Sequence, residues 1–209
     1  MYKKLFIFLF MIVFLAGCTT VNHIPLSGDN RQAVQAVYIN PEIKKPDTMY
    51  EFASGSEYGM AFGPIGGAIS GAANAKAAAT TQQFAEANQI DIRNIIYKKW
   101  LEEMPKKTSF KLSKQLIDSI LTTNITLYGI SIPHGFSTDY VPVLAFNANL
   151  VRNNQIIWQD SGYVSPLADG MPRYKMAELR NDPKKLYAMW DKASEKIITD
   201  MLNNMISRE

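Results

Sequence analysis

Residues 140–164 read YVPVLAFNANLVRNNQIIWQDSGYV, and this stretch predicts a β-hairpin. Two runs that contain many β-branched and aromatic residues, Tyr140–Arg152 and Gln155–Val164, flank the dipeptide Asn153-Asn154. Asparagine tolerates the left-handed backbone that a two-residue hairpin turn requires. Alternation along the first strand places four apolar side chains on one face: Leu144, Phe146, Ala148 and Leu150.

Three further runs predict strands. Ala33–Asn40 contains Val34, Val37 and Ile39 and stops at Pro41, which cannot continue a strand ladder. Ser109–Ser113 predicts a short strand, and Asn124–Ile132 is rich in residues that favour strands.

The remaining regular elements are predicted to be helices. Asp91–Met104 has a capping residue at its start, helical spacing of apolar residues, and Pro105 as its expected end. A brief helix is expected near Lys114–Leu121. Asp182-Pro183 places a cap before a proline at the first helical position. The stripe that follows either faces the core or binds a partner: Leu186, Trp190, Ala193, Ile197, Ile198, Met201, Leu202 and Met205.

Together these elements predict one α+β domain. We expect a three- to five-stranded, mostly antiparallel or mixed sheet with two main helices on one face, plus a glycine-rich insertion. The apolar fraction of 47% is that of a globular chain.

The N-terminus has the order of a secretory signal. Lysines in Met1–Lys4 precede the apolar run Leu5–Leu15, which is followed by the small residues Ala16 and Gly17. As a helix the run is about 16 Å long, too short for a hydrocarbon core of about 30 Å. We therefore expect removal of residues 1–17, a tether over residues 18–32 and a domain over residues 33–209.

Leu15-Ala16-Gly17-Cys18 resembles the lipobox of bacterial lipoproteins. The resemblance implies that Cys18 carries acyl chains and becomes the first residue after cleavage. Such chains anchor a protein because each buried methylene contributes about 0.8 kcal/mol. The next residue is Thr19 and not aspartate, and the resemblance to Gram-negative lipoproteins then implies sorting to the outer membrane. The expected location is the periplasmic face of the cell outer membrane.

Charge and cysteine content exclude several classes of function. The chain has 22 basic and 19 acidic residues, and loss of Lys3 and Lys4 with the signal leaves a net charge near +1. This balance lacks the basic excess of a nucleic-acid-binding protein. Cys18 is the only cysteine, so once it is acylated the chain has no thiol for a disulfide, for catalysis or for a cysteine–zinc site.

Residues 54–80 contain small residues at every fourth position: Gly55, Gly59, Gly63, Gly67, Gly71, Ala75 and Ala79. In a helix this ladder would form a flat groove that allows close approach of another backbone. Pro64 and the cost of about 1 kcal/mol for each interior helical glycine oppose a free-standing helix. Three interpretations stay open: packing or looping within the domain, a helix contact in a homo-oligomer, and insertion into a membrane.

No motif predicts catalysis, a metal site or a cofactor. The chain lacks a P-loop, a dinucleotide fingerprint and a clustered set of metal ligands. His134 lies near Ser131, Ser137 and Asp139 in sequence, so a hydrolase is a third hypothesis, although triads are defined by geometry. We expect a protein that is not an enzyme.

Five stretches together resemble a group of uncharacterised bacterial lipoproteins: residues 15–18 (LAGC), 37–42 (VYINPE), 63–69 (GPIGGAI), 133–136 (PHGF) and 157–158 (IW). More distantly the layout is similar to periplasmic α/β lipoproteins, namely transport-auxiliary lipoproteins, penicillin-binding-protein activators and the soluble part of curli-secretion pore lipoproteins. The resemblance implies action by binding partners, and no catalytic residue carries over.

The expected function is that of a lipid-anchored envelope protein that supports assembly or transport through contacts with another envelope protein. The alternative is a membrane-inserting glycine-zipper oligomer or a secretion pore subunit. The first depends on Cys18, and the second depends on the glycine ladder.

Overall fold

A computed structural model of the chain describes residues 23–52, 72–134 and 137–207. These residues form an α+β domain, as predicted. Its five helices are α1 Gly28–Ala33, α2 Ala72–Ala87, α3 Ile92–Lys107, α4 Met176–Asn181 and α5 Pro183–Ile206. Its seven strands are β1 Ala36–Ile39, β2 Tyr50–Phe52, β3 Lys111–Ser113, β4 Ser119–Ser131, β5 Asp139–Arg152, β6 Gln155–Val164 and β7 Tyr174–Lys175.

The sheet is mixed, with the strand order β3-β1-β4-β5-β6. Strand β1 is parallel to both of its neighbours, whereas β4, β5 and β6 run antiparallel to one another. The short strand β2 pairs in parallel with the C-terminal part of β4, and β7 pairs with the start of β5. The predicted mixed sheet is thus confirmed, and the two short strands extend it beyond five.

The β5–β6 hairpin is as predicted. Asn153 and Asn154 have φ angles of 50° and 63°, which are the left-handed values of a tight turn. The four inward side chains predicted for β5 are each no more than 1% exposed. Gly162 on β6 fits against the Ile197 side chain of α5, because a Cβ there would lie 2.3 Å from the Ile197 methyl group. The hairpin and α5 are therefore packed in close contact.

Helix α5 is the main element of the core. Every residue of the predicted stripe is no more than 2% exposed, which confirms the core-facing interpretation. Burial of a large apolar side chain contributes about 1.5–3 kcal/mol. The Trp190 Nε1 donates to the Gly129 carbonyl of β4 at 3.0 Å, and Lys99 of α3 bridges to Asp191 of α5 at 3.0 Å. Helices α3 and α5 pack against each other, and the placement of both on one face of the sheet stays a prediction.

Two local predictions are wrong. Lys114–Leu121 contains no helix: the chain bends there and enters β4 at Ser119. Pairing of Ser119 with Arg152 of the hairpin overrides the helical spacing of nearby apolar residues. Pro105 also does not end its helix, because α3 continues to Lys107. Proline removes one backbone hydrogen bond, and in the last turn the helix tolerates that loss.

The described part of the predicted tether packs on the domain. Ile24 exchanges two backbone hydrogen bonds of 2.9 Å with Gln159 at the edge of β6, and Leu26 is buried. Ser27 caps the short helix α1. The Arg31 guanidinium donates to three carbonyls at the end of α5, those of Met205, Ile206 and Ser207, at 2.9, 3.0 and 3.2 Å.

Candidate functional site

A polar groove of about 890 Å³ lies beside strand β4. Its rim begins where the chain leaves β1. The Asn40 N–H donates to the Leu121 carbonyl, and four residues later the Lys44 carbonyl accepts from the Ile125 N–H. Between these points residues 41–43 leave the strand ladder, with the Glu42 N–H donating to the Asn40 side chain at 3.0 Å. Regular pairing with β4 is therefore interrupted at residues 41–43, which line the groove.

The floor of the polar groove is formed by paired residues of β4 and β5. Thr122 pairs with Asn149, and Asn124 pairs with Asn147. These four side chains lie on the face of the strands opposite to the buried Leu144, Phe146, Ala148 and Leu150, because successive side chains alternate. None of the four is fully buried, so this face presents uncharged amides and hydroxyls at the surface.

Strand β6 extends the same pattern beyond the groove. Gln159 pairs with Asn149, and Ser161 pairs with Asn147. The two rows, Thr122–Asn149–Gln159 and Asn124–Asn147–Ser161, therefore contain six side chains that hydrogen-bond and carry no charge. Cross-strand neighbours lie about 5 Å apart in such rows.

The far wall of the polar groove is the start of α3. Asp91 caps this helix by accepting from the Arg93 N–H at 2.9 Å, and its carboxylate also holds the Arg93 guanidinium at 2.6–3.0 Å. Burial opposes ionisation of Asp91, but these hydrogen bonds and the nearby Lys45 lower its pKa overall. The same contacts raise the pKa of Arg93. Asp91 and Arg93 are therefore a fixed ion pair.

A second concavity of about 430 Å³ adjoins the polar groove and shares Asp91, Arg93 and Asn94 with it. Its apolar lining includes Ala85 of α2, Ile92 of α3 and Trp190 of α5. Lys45 stands at its edge, donates to the Tyr128 hydroxyl at 3.2 Å and lies 5.1 Å from the centre of that ring. Tyr128 in turn packs edge-on against Trp190, at 6.0 Å between ring centres. The ammonium group of Lys45 is therefore held by Tyr128.

Most of the sequence-predicted site residues lie outside the described residues. These are Cys18, Gly55, Gly59, Gly63, Gly67 and Gly71. The last two members of the ladder, Ala75 and Ala79, lie on α2, and both are exposed. The structure thus places them on a helix, and the role of the ladder stays a prediction.

Helix α2 is fastened to β2, which precedes the glycine-rich segment in sequence. The buried Glu51 carboxylate accepts a hydrogen bond of 2.6 Å from the Thr81 hydroxyl. Gln82 adds two bonds of 3.0 Å, accepting from the Met49 N–H and donating to the Asp47 carbonyl. Burial raises the pKa of Glu51, although the Thr81 hydrogen bond and Arg180 act in the opposite direction. The two elements that flank residues 53–71 are thereby joined.

The His134 hypothesis receives no supporting contact within the described ranges. The Ser131 hydroxyl donates to the Ile132 carbonyl at 3.0 Å, and the Ser137 hydroxyl donates to the Asp139 carbonyl at 3.2 Å. His134 itself is exposed. Across residues 23–52, 72–134 and 137–207, no group of three or more His, Cys, Asp or Glu side chains could hold a metal ion. In the same ranges, no helix combines the length and apolarity needed to cross a membrane.

Sequence reasoning missed the polar groove. In the sequence Asn124 stands out only as part of a glycosylation sequon, and no motif marks Asn147 or Asn149. Asparagine is depleted in strands, so two of them at alternate positions of β5 are a usable signal. The departure of residues 41–43 from the strand ladder and the approach of α3 have no such signal, because they arise from distant segments.

Comparisons with known proteins give structural similarity only. No protein-family model matches the sequence, and no curated protein matches it significantly. Solved structures that are similar include protein XCC0632 of Xanthomonas campestris, from family DUF330. The TM-score is 0.45 and the sequence identity 9%, and the alignment covers 88% of this chain and 92% of that one.

Two further structures are similar at lower scores. A PelC dodecamer of Paraburkholderia phytofirmans has a TM-score of 0.31 and 10% identity over 84% of this chain and 89% of that one. Lipoprotein GNA1162 of Neisseria meningitidis has a TM-score of 0.26 and 17% identity over 79% and 99%. The similar structures thus include a DUF330 protein and a lipoprotein. Scores below 0.5 establish neither a family nor a function for this chain.

Proposed function

We propose that this protein is a lipid-anchored envelope protein on the periplasmic face of the outer membrane. It acts without catalysis and supports assembly or transport by holding its domain against an envelope protein partner. The acyl chains on Cys18 confine the domain to one surface, which raises its effective concentration near anything held at that surface.

The observation that carries the proposal is the docking of the segment after Cys18. Ile24 is fixed to β6, so only residues 19–23 separate the anchor from the domain. Fully extended, this stretch spans about 20 Å. A linker this short keeps the β6 edge and the end of α5 next to the bilayer. The domain is thereby positioned for partners close to the membrane and not for partners deep in the aqueous space.

The test compares the parent with Cys18→Ser and with the conservative neighbour Thr20→Ser in intact cells. The parent and Thr20→Ser are expected to pellet with membranes and to crosslink to an envelope protein, whereas Cys18→Ser loses both properties. A further variant with about 20 Gly/Ser residues inserted after Thr20 lengthens the linker and should weaken the crosslink. Membrane pelleting of Cys18→Ser equal to the parent, or no envelope crosslink from the parent, refutes the proposal.

A second candidate is an oligomer formed through the glycine ladder, either beside or within a membrane. It is favoured by the exposure of Ala75 and Ala79 on α2, which leaves the end of the ladder available for a second helix. It predicts large assemblies in mild detergent that dissociate in Gly67→Leu and Gly71→Leu. Unchanged assembly size in both variants eliminates it.

A further inference from the structure

We infer that the polar groove binds a neutral oligosaccharide. More than half of its lining residues carry uncharged amides or hydroxyls, among them Asn40, Asn94, Thr122 and Thr123. Its volume of about 890 Å³ lies within the range of ligand sites and leaves room for several sugar rings. The inference does not depend on the lipid anchor.

The hydrogen-bonding chemistry of the lining matches hydroxyl groups. A sugar hydroxyl both donates and accepts, and each asparagine amide offers one group of each kind. Five asparagines and two threonines line the groove. Two of these asparagines, Asn147 and Asn149, point the same way from β5, and Thr122 and Asn124 pair with them from β4. Such an array can bind several hydroxyls of one ligand at once.

The charges of the lining exclude a strongly ionic ligand. Lys44 and Arg93 are balanced by Glu42 and Asp91. The Asp91 carboxylate also holds one edge of the Arg93 guanidinium, through Nε and Nη2, and offsets its charge. A carboxylate- or phosphate-bearing ligand would meet no net positive charge there, and a cationic one would meet no net negative charge.

The shortage of apolar side chains distinguishes a sugar from a peptide. Extended peptides gain specificity from pockets that receive alternate side chains. In this groove only Pro41 and Ile43 are apolar, and Ile43 is buried in the core. A ligand covered with hydroxyls fits this lining better than one with apolar side chains.

Asn149 supplies an independent indication. Its Oδ1 is shielded from solvent and has no hydrogen-bond partner among the described residues. Buried polar atoms in folded proteins nearly always have a partner, so an unpaired amide oxygen beside the groove calls for an explanation. A ligand hydroxyl beside Asn149 provides the missing donor when the amide rotates toward it.

The experiment uses the full-length protein, purified in a detergent without a sugar head group. Chitotetraose, cellotetraose and maltotetraose are titrated by calorimetry up to about 10 mM, well above a weak Kd of about 1 mM. Tetragalacturonate and the chitosan tetramer are the charged counterparts. We expect saturable binding of at least one neutral sugar, weaker binding of both charged ones, and an affinity that is nearly unchanged when salt is raised.

Variants locate the site. Asn147→Leu and Asn124→Leu should each weaken binding about tenfold or more, and the exposed position of Asn124 makes its variant the safer for folding. Ser161→Ala lies on the same sheet face outside the groove and should bind like the parent. No binding of any neutral tetrasaccharide, parent-like binding by both asparagine variants, or a steep loss of affinity with salt overturns the inference. None of these results bears on the Cys18 experiment.

Discussion

Replacing Arg31 by methionine should release residues 24–34, the segment that follows the proposed lipid anchor, from the rest of the domain. Methionine keeps an apolar stem of similar length but cannot donate to the three carbonyls at the end of α5. Hydrogen bonds that involve a charged group contribute about 1.5–3 kcal/mol each when buried. Because Arg31 is only partly buried and its acceptors share one helix end, we take about 2 kcal/mol for the whole set.

A loss of about 2 kcal/mol makes local opening about 30-fold more frequent. Amide hydrogen exchange at Ile24, Leu26 and Val34 should accelerate by that factor, whereas exchange in β4 and β5 should not change. In the open state the first fixed residue becomes Ala36 of β1, and the maximum reach from Cys18 grows from about 20 to about 60 Å.

The matched control is Arg152→Met. Arg152 also uses its guanidinium in a surface contact, to Asp118 at 3.2 Å, but it lies at the hairpin turn away from the N-terminal segment. This control should leave exchange at Ile24 unchanged. Parent-like exchange at Ile24 and Val34 in Arg31→Met would show that the apolar contacts of Leu26 hold the segment without Arg31. The claim that Arg31 keeps residues 24–34 on the domain would then be wrong.

Three further changes test the interior. Burial raises the pKa of Glu51, so the protonated form is favoured in the folded state. The contribution of Glu51 to stability is therefore complete below the unfolded pKa of about 4.5 and is lost as the pH rises through the folded value. Glu51→Gln should raise the thermal midpoint by a few degrees at pH 8 and leave it unchanged at pH 3.5. Gly129→Ala places a Cβ 1.8 Å from the Tyr50 carbonyl oxygen and should lower the free energy of unfolding, measured in urea, by about 3 kcal/mol or more. The control Gly28→Ala has no atom within 4 Å of the new Cβ and should leave that free energy nearly unchanged. Lys99→Met removes the salt bridge between α3 and α5 and should lower the free energy of unfolding by about 1 kcal/mol in the same assay, with a smaller loss at high salt. A variant as stable as the parent, or more stable, would show that this salt bridge does not stabilise the fold.

The elements with a strong local pattern could be predicted from the sequence. The hairpin follows from alternation on both sides of Asn153-Asn154, and α5 follows from a cap, a proline and a stripe of 3.6-residue period. Lys114–Leu121 shows the limit of this reasoning, because its apolar spacing suits a helix but pairing with β5 is more favourable. Nothing local indicates that β1 and β2 join β4 in parallel, since their partners lie about 80 residues further along the chain.

The candidate site was less predictable than the fold. Alternation along β5 places Asn147 and Asn149 on the face opposite the core, so the β5 half of the groove floor could be predicted from the sequence. The groove itself needs the interrupted pairing at residues 41–43 and the capped start of α3, and only the folded chain brings these together. The predicted tether also concealed two apolar residues, Ile24 and Leu26, which are the ones that dock.

The contact between Arg31 and the end of α5 also sets an order of events during biogenesis. The two partners are separated by 174 to 176 positions, nearly the whole chain. In a chain that emerges from its N-terminus, Arg31 has none of these acceptors until the last helix has formed. Contacts between such distant positions form slowly, because a large loop must close first. Completion of this fold therefore waits for the final residues of the polypeptide.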